Sequence, residues 1–383
     1  MNPTTQAALA IAVQVDVPVI VTGWAGIGKT SQLRYLAQLK NWGYHELNPS
    51  AMLPEDFSIP TENKGRGYAE KLPWKWAVEL AAGGPSLLVI DECNTGTESV
   101  EASLLKVVLD RLVGDTKLPN TRVVSLQNPP ALAPGGRELS GPMANRYCHL
   151  SAKVHWQSLR QGQLTGIYPM AMPLLPENWR DHLQAARTLI VSFLDRHENL
   201  ICDELPEGHP GLSGPWGSPR TWFAYAAPLL AACFSLGLNT ESAVAQMLIC
   251  GCVGDGAGGQ FCTWATLVHD TPTPEMVWAD PRGVSLPARD DLITATLNSL
   301  VAATAASIAN DAQTLAEKRN QAAWTVIKRV VDELGKADLA AGAGIPLRNI
   351  MPSTFRMPPE AAALAPIIER ARAAAQRAMG GSR

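Results

Sequence analysis

The sequence predicts an α/β fold, a parallel sheet covered by helices and followed by all-α segments, and three observations carry that prediction. Short apolar runs within residues 1–150 are continuous rather than alternating, as in strands buried on both faces. Stretches with helical periodicity separate those runs, the order expected of strand–helix–strand units. Beyond about Ser151 the strand signal fades and only helical patterns continue. Of the 383 residues 46% are hydrophobic and 17% charged, enough apolar material for a sizeable core. At ~150 residues per domain, the length allows two or three domains.

Val17–Val21 (VPVIV) reads as the first strand, Ser31–Lys40 as a helix and Tyr44–Leu47 as the second strand. Ser86–Ile90 (SLLVI) and Arg122–Leu126 (RVVSL) are two more, on either side of a helical stretch near Val100–Val113. Two insertions rich in proline and charge, Asn48–Leu72 and Gly114–Thr121, interrupt this order. Trp179–His197 then reads as helical, followed by a Gly/Pro-rich linker, Pro206–Pro219, and helical stretches over Trp222–Leu236 and Glu241–Cys250. After a second break, Thr271–Ala288, Ile293, Leu297, Leu300 and Val301 are spaced for one helix face. Ala323, Ile327, Val330 and Leu334 repeat that spacing before Gly335, a suitable residue just past a helix end. The expected division is an α/β module over 1–150, a linker and helical module over 151–270, and a helical extension over 271–383.

Charge and cysteine usage narrow the function classes. Lys plus Arg number 32 and Asp plus Glu 35, for a net charge of −3. Residues 1–150 hold 13 basic and 14 acidic residues, leaving 19 and 21 for the rest. Neither part is basic, so the strong electrostatic footprint of a dedicated duplex-DNA binder is missing. Seven cysteines, odd in number and unevenly spaced, do not make a disulfide framework. The apolar run Ala8–Val21 carries Asp16 and leads directly into a phosphate-loop motif, which argues against a cleaved signal peptide. No stretch of 18 or more uncharged apolar residues reads as a membrane span, and the expected compartment is a reducing cytoplasm.

Gly23-Trp-Ala-Gly-Ile-Gly-Lys-Thr30 fits G-x-x-x-x-G-K-[ST], between a strand and a helix. Its glycines let successive backbone N–H groups converge on phosphate oxygens at a helix N-terminus. The expected phosphate-binding set is Gly23, Ala25, Gly26, Ile27, Gly28, Lys29, Thr30 and Ser31. Lys29 would reach the terminal phosphates and the Thr30 hydroxyl would ligate Mg²⁺. Ser86–Glu92 is the natural partner, an apolar strand ending in two carboxylates. Asp91 would hold Mg²⁺ and Glu92 would polarise an attacking water, since two carboxylates in one pocket need a metal and a separate task to coexist. Asn128 ends a third buried strand, where it is either a γ-phosphate contact or an Asn-Pro turn initiator. Arg146 precedes a short final strand, as a surface ion-pair residue or a finger acting in trans. Ser218-Pro-Arg starts a helix, and the cation Arg220 beside its positive end suggests an anionic partner. Cys250-x-Cys252 with Cys262 is too sparse for a four-ligand zinc site and falls in a Gly-rich loop. Trp74 and Trp76 flank Lys75 and read as core residues before partner contacts.

The ordered segments GWAGIGKT, PEDFSIP, LLVIDECN, VVLDRLVGDTKLP, VVSLQNPP, ANRYCHL and SPRTW resemble the MoxR-type AAA+ ATPases, from about Pro18 to Trp222. The resemblance implies an αβα P-loop domain followed by a helical lid, working as a hexameric ring with ATP and Mg²⁺. It makes Asp91 and Glu92 the Walker B pair, Asn128 sensor 1, Arg146 the arginine finger and Arg220 sensor 2. It places Pro54–Gly67 at the ring's pore and Gly114–Thr121 as a hairpin before sensor 1. Members often act as chaperone-like remodellers beside a von Willebrand A-type partner. The expectation is therefore a ring ATPase that remodels a protein client, touching neither membrane nor nucleic acid. Two alternatives stay open. One is a nucleic-acid motor or loader, for which Lys64, Arg66 and Lys117 are a thin basic signal. The other is a non-hydrolysing ring subunit, against which Glu92 argues.

Overall fold

The computed structural model describes residues 1–63, 65, 67–130, 135–166, 171–202, 210–268 and 271–380. Lys64, Arg66 and part of the Pro206–Pro219 linker lie outside them. The chain opens with α1 (Pro3–Val15), capped where Asn2 Oδ1 accepts the Thr5 N–H at 2.7 Å. The apolar run read from Ala8 to Val21 is two elements. Asp16 takes a left-handed conformation (φ 69°), ending the helix and releasing the chain into β1 (Val19–Thr22). After α2 (Lys29–Lys40) and β2 (Gly43–Leu47), the first insertion forms an antiparallel hairpin, β3 (Ser58–Asn63) and β4 (Tyr68–Pro73). Then come α3 (Lys75–Ala82), β5 (Ser86–Ile90) and α4 (Glu98–Asp110). The second insertion is a short hairpin, β6 (Leu112–Val113) and β7 (Thr116–Lys117), before β8 (Thr121–Gln127), α5 (Gly141–Ala144) and β9 (Cys148–Ser151).

The core sheet has five strands in the order β2-β5-β8-β1-β9, and every pairing is parallel. Val19–Val21, Leu87–Ile90 and Val123–Val124 are buried, as continuous apolar strands require. The two hairpins dock on each other: the Lys71 N–H donates to Asp115 Oδ2 at 3.0 Å. Gly114 sits at that contact with φ 57°, and a Cβ there would lie 2.9 Å from the Ser58 side chain.

The remaining helices are α6 (Trp156–Thr165), α7 (Leu183–Leu194), α8 (Ala227–Ser235), α9 (Ala243–Val253) and α10 (Asp255–Val268). Ser218 caps a wide helical turn, Arg220–Ala226, that leads into α8; its Oγ accepts the Thr221 N–H at 3.2 Å. The segment after Cys250, expected to be a Gly-rich loop, is helical from Asp255. Packing explains the difference. A Cβ on Gly258 would lie 2.8 Å from Cys250 Cα, so glycine permits close backbone approach here rather than chain reversal. Gly251 acts similarly where α9 meets β9, since its Cβ would lie 2.4 Å from the His149 carbonyl oxygen.

The chain divides into two compact units, residues 1–183 with 199–262, and residues 184–198 with 263–383. In the first, α8 and α9 pack on α1, and α9 packs on β9. The second is built around α11 (Pro274–Ala279), α12 (Asp290–Asn310), α13 (Gln313–Leu334), α14 (Ala337–Ile350) and α15 (Pro359–Gly380). The two faces read from sequence meet in its core, where Ile293, Leu297 and Leu300 join Ala323, Ile327 and Val330 around Trp324. Gly335 ends α13 in the left-handed conformation, as expected of a C′ glycine. Residues 292–310 carry no charge, so the expectation that no stretch of 18 or more uncharged apolar residues reads as a membrane span does not hold for α12 by length and composition. By length and mean hydropathy (1.6) α12 is the one described helix able to cross a membrane; Ile293, Leu297 and Leu300 are buried in this helical core.

One pH effect follows from β9. The His149 ring Nε2 lies 2.9 Å from the Ala144 carbonyl oxygen, and burial pulls its pKa down to about 4 against that bond's upward pull. In the unfolded chain an imidazole titrates near ~6.5. Between these values the unfolded state holds a proton that the folded state lacks. Stability therefore falls as pH drops from about 6.5 to about 4, by up to ~1.4 kcal/mol per pH unit, and this contribution levels off below. His149→Gln is expected to remove that part of the slope in urea unfolding measured across the range.

Candidate active site

The phosphate loop leaves β1 at Thr22 and enters α2 at Lys29. Gly26 and Gly28 have φ of 77° and 82°, conformations that cost any residue with a Cβ. Gly23 is required for a different reason, because a Cβ there would lie 2.8 Å from the Ala152 carbonyl oxygen. Ala25, Ile27 and Ser31 complete the loop and the first turn of α2, and Trp24 stands exposed at its tip.

Three strand ends meet at this loop. Lys29, buried, donates from Nζ to the carbonyls of Gly23 (2.5 Å) and Trp24 (3.0 Å) and to Asn128 Oδ1 (2.8 Å) at the end of β8. Burial lowers the Lys29 pKa, while Asp91 and Glu92 act in the opposite direction and favour its charge. The Thr30 hydroxyl donates to Asp91 Oδ2 at 2.9 Å, and Asp91 Oδ1 accepts the Glu92 N–H at 3.0 Å. β8 lies between β1 and β5, so the Asn128 side chain reaches Lys29 while the acid pair flanks it from the other side.

Glu92 holds a left-handed backbone conformation (φ 53°) directly after β5. A non-glycine residue there costs of order 1–2 kcal/mol, and such strain persists only where surrounding contacts enforce it. Here the Glu92 carbonyl accepts both the N–H and the hydroxyl of Thr95, at 3.0 and 2.7 Å, and the Cys93 N–H donates to the Leu126 carbonyl at 2.9 Å. Cys93 itself is buried, and burial pushes its thiol pKa up, so it serves packing rather than nucleophilic chemistry. Asn94, which the sequence reading passed over, donates from Nδ2 to the carbonyls of Asn128 and Arg137, each at 3.3 Å, and so ties the acid-pair turn to the Asn128 turn.

Thr30 Oγ1 and the Asp91 carboxylate form an oxygen-only pair. That suits Mg²⁺, which keeps several waters and takes one or two protein oxygens plus substrate phosphates. Beside the loop is a cavity of about 520 Å³, lined by Gly26, Ile27 and Gly28 and by Ser31 and Tyr35 of α2. Gln6 of α1 and Leu159 of α6 close it, with Met1 and Val154 from the segments that precede those helices. Half of it was detectable in sequence, since Gly28, Ser31 and Tyr35 share a helix face. The rest comes from distant segments with no local signal.

Arg146 and Arg220 lie elsewhere. Cys148 pairs with Val19 at the start of β1, whereas the phosphate loop follows Thr22 at its end. Cys148 is thus about 13 Å from the loop along β1 at ~3.3 Å per residue, and Arg146, two residues before it, sits at the opposite edge of the sheet. Its Nη1 donates to the Pro142 carbonyl at 2.6 Å, its backbone carbonyl accepts from the Tyr225 hydroxyl at 3.2 Å, and its buried Nε has no partner among the described residues. Arg220 is beside it, with Nη1 3.4 Å from Asn145 Oδ1. Burial and then the Arg220 charge lower the Arg146 pKa, with Asp110 opposing. The structure thus gathers Lys29, Thr30, Asp91, Glu92 and Asn128 at one edge and the two arginines at the other.

No protein-family model and no curated protein matches the chain. Among solved structures it is similar to a provisionally named ATPase from Cytophaga hutchinsonii, at 15% identity and a TM-score of 0.40 over 66% of this chain and 78% of that one.

Proposed function

We propose that the protein is a Mg²⁺-dependent ATPase of the AAA+ class, MoxR-like in type, that assembles into a ring and remodels a protein client. The observation that carries the nucleotide reading is the meeting of Lys29, Thr30, Asp91 and Asn128 at one strand edge through two side-chain hydrogen bonds of 2.8 and 2.9 Å. Lys29 would exchange its carbonyl partners for phosphate oxygens, Thr30 and Asp91 would hold the metal, and Glu92 would take the proton of the attacking water. Bound Mg²⁺ would neutralise the charge that develops on the transferring phosphoryl group. The cavity beside the loop would receive the nucleoside. Arg146, remote from its own loop, would complete a neighbouring subunit's site, which gives the ring reading its support; Arg220, expected to face the phosphate of its own subunit, lies beside Arg146 instead. The client and a von Willebrand A-type partner follow from the resemblance, and a cytoplasmic setting from the cysteine usage; all belong to the same proposal.

The deciding experiment is ATP binding by Lys29→Ala. This change removes the one side-chain cation inside the loop. Loss of a charge-assisted bond to phosphate is expected to weaken affinity by about ten- to a hundredfold in calorimetry. Wild-type affinity in this variant would reject the loop as the phosphate site.

A further inference from the structure

A second cavity, of about 320 Å³, lies between the end of β2 and the base of the β3–β4 hairpin, and the nucleotide chemistry does not use it. Two indoles, Trp74 and Trp76, and two carboxylates, Glu46 and Asp56, line it together with Leu47 and Met52. Both indole N–H groups are engaged by backbone: Trp74 Nε1 donates to the Glu55 carbonyl, and Trp76 Nε1 to the Asp56 carbonyl at 3.0 Å. Phe57 meets Trp76 edge-on, at 86° and 6.1 Å between centroids. With their donors occupied and their orientations held, the indoles offer the cavity only carbon surface.

The electrostatics favour one sign of occupant. Among the described residues no basic side chain lines the cavity. Lys75, the chain neighbour of both indoles, pairs with Glu79 at 3.4 Å. Glu46 shares one oxygen with Arg34 and Tyr44 at 2.8 and 2.9 Å. Asp56 Oδ2 accepts the Leu53 N–H at 2.8 Å, and Oδ1 has no hydrogen-bond partner among the described residues. Aromatic carbon surface beside carboxylates attracts a cation and offers nothing to an anion.

We propose that this cavity accepts a lysine or arginine side chain of a protein partner. Its surroundings indicate a peptide rather than a free small cation. Leu53, Ile59 and Leu72, close in sequence to the lining residues Met52, Asp56 and Trp74, are 63, 44 and 57% exposed, and Ile59 pairs with Leu72 across the hairpin. A chain segment with apolar residues beside its basic one would cover them. This assignment does not depend on the nucleotide reading.

The test uses the full chain labelled with 5-fluorotryptophan, its Trp74 and Trp76 resonances assigned through Trp74→Phe and Trp76→Phe. The probes are acetyl-Leu-Lys-Leu-amide, its arginine counterpart and its norleucine counterpart. Both basic peptides are expected to shift the two resonances saturably, and norleucine to bind about tenfold or more weakly. Asp56→Asn, which keeps an acceptor for the Leu53 N–H, is expected to weaken the lysine peptide about threefold or more. Equal shifts with lysine and norleucine, or none at either indole up to about 10 mM peptide, would overturn the proposal. If Asp56→Asn failed to fold, the peptide comparison on the unaltered protein would still decide.

Discussion

Glu92→Gln is expected to bind ATP with near-native affinity and to lose turnover by about two or more orders of magnitude, as removal of a positioned base does. The substitution keeps the shape of the side chain and removes only its ability to take a proton. The backbone around it has reason to stay in place. The left-handed turn at Glu92 (φ 53°) is held by main-chain and Thr95 contacts, not by the carboxylate. Thr30 and Asp91 keep their bond, so the metal pair is untouched. Steady-state phosphate release and calorimetric ATP binding on the same preparation separate the two effects. Unchanged release would show that Glu92 is not the base, whereas lost binding would point to a disturbed site.

The second large effect concerns Arg146. A finger supplied in trans is worth ~10³–10⁵ in rate where it has been measured. Arg146→Ala is expected to bind ATP normally and to hydrolyse it poorly, by at least about three orders of magnitude if the finger is fully used. Its own loop is on the far edge of the sheet and its side chain is bonded to Pro142 and set beside Arg220, so the deficit cannot come from its own phosphate contacts. Mixing Arg146→Ala with Lys29→Ala should restore part of the activity, because Lys29→Ala subunits retain the arginine and their neighbours retain the loop. Activity should also rise more than linearly with protein concentration wherever assembly is incomplete. Constant specific activity from a species that stays monomeric with ATP in light scattering would reject the ring. Stable co-assembly without recovered turnover, once subunit exchange is shown, would reject the trans finger.

Several features were legible because their signal is local. The strands β1, β5 and β8 announced themselves as continuous apolar runs, and Ser86–Ile90 is a strand over the same five residues. The phosphate loop was readable because a tight strand-to-helix turn with left-handed positions requires glycine at Gly26 and Gly28. Caps at Ser218 and Gly335 were readable for the same kind of reason. Other features were not. Glycine at Gly251 and Gly258 looks in sequence like glycine in a loop, yet there it serves close backbone approach within a helical unit. The hairpin of the first insertion depends on pairing partners and on the Lys71–Asp115 contact, which no periodicity encodes, whereas the one the resemblance implied at Gly114–Thr121 forms over Leu112–Lys117.

What the sequence by itself determined was the α/β class, the phosphate loop, the acid pair after β5 and the amide after β8, all short-range consequences of backbone conformation and apolar continuity. Only the tertiary structure decided which of these meet. Strand order sets Asn128 against Lys29 and the Thr30 hydroxyl against Asp91, while parallel register carries Arg146 to the opposite edge and helix packing brings Arg220 beside it. The reason is physical. Residue type and local spacing set what a side chain can do, but its partners are chosen by how buried strands and helices stack, and that depends on contacts between segments scores of residues apart.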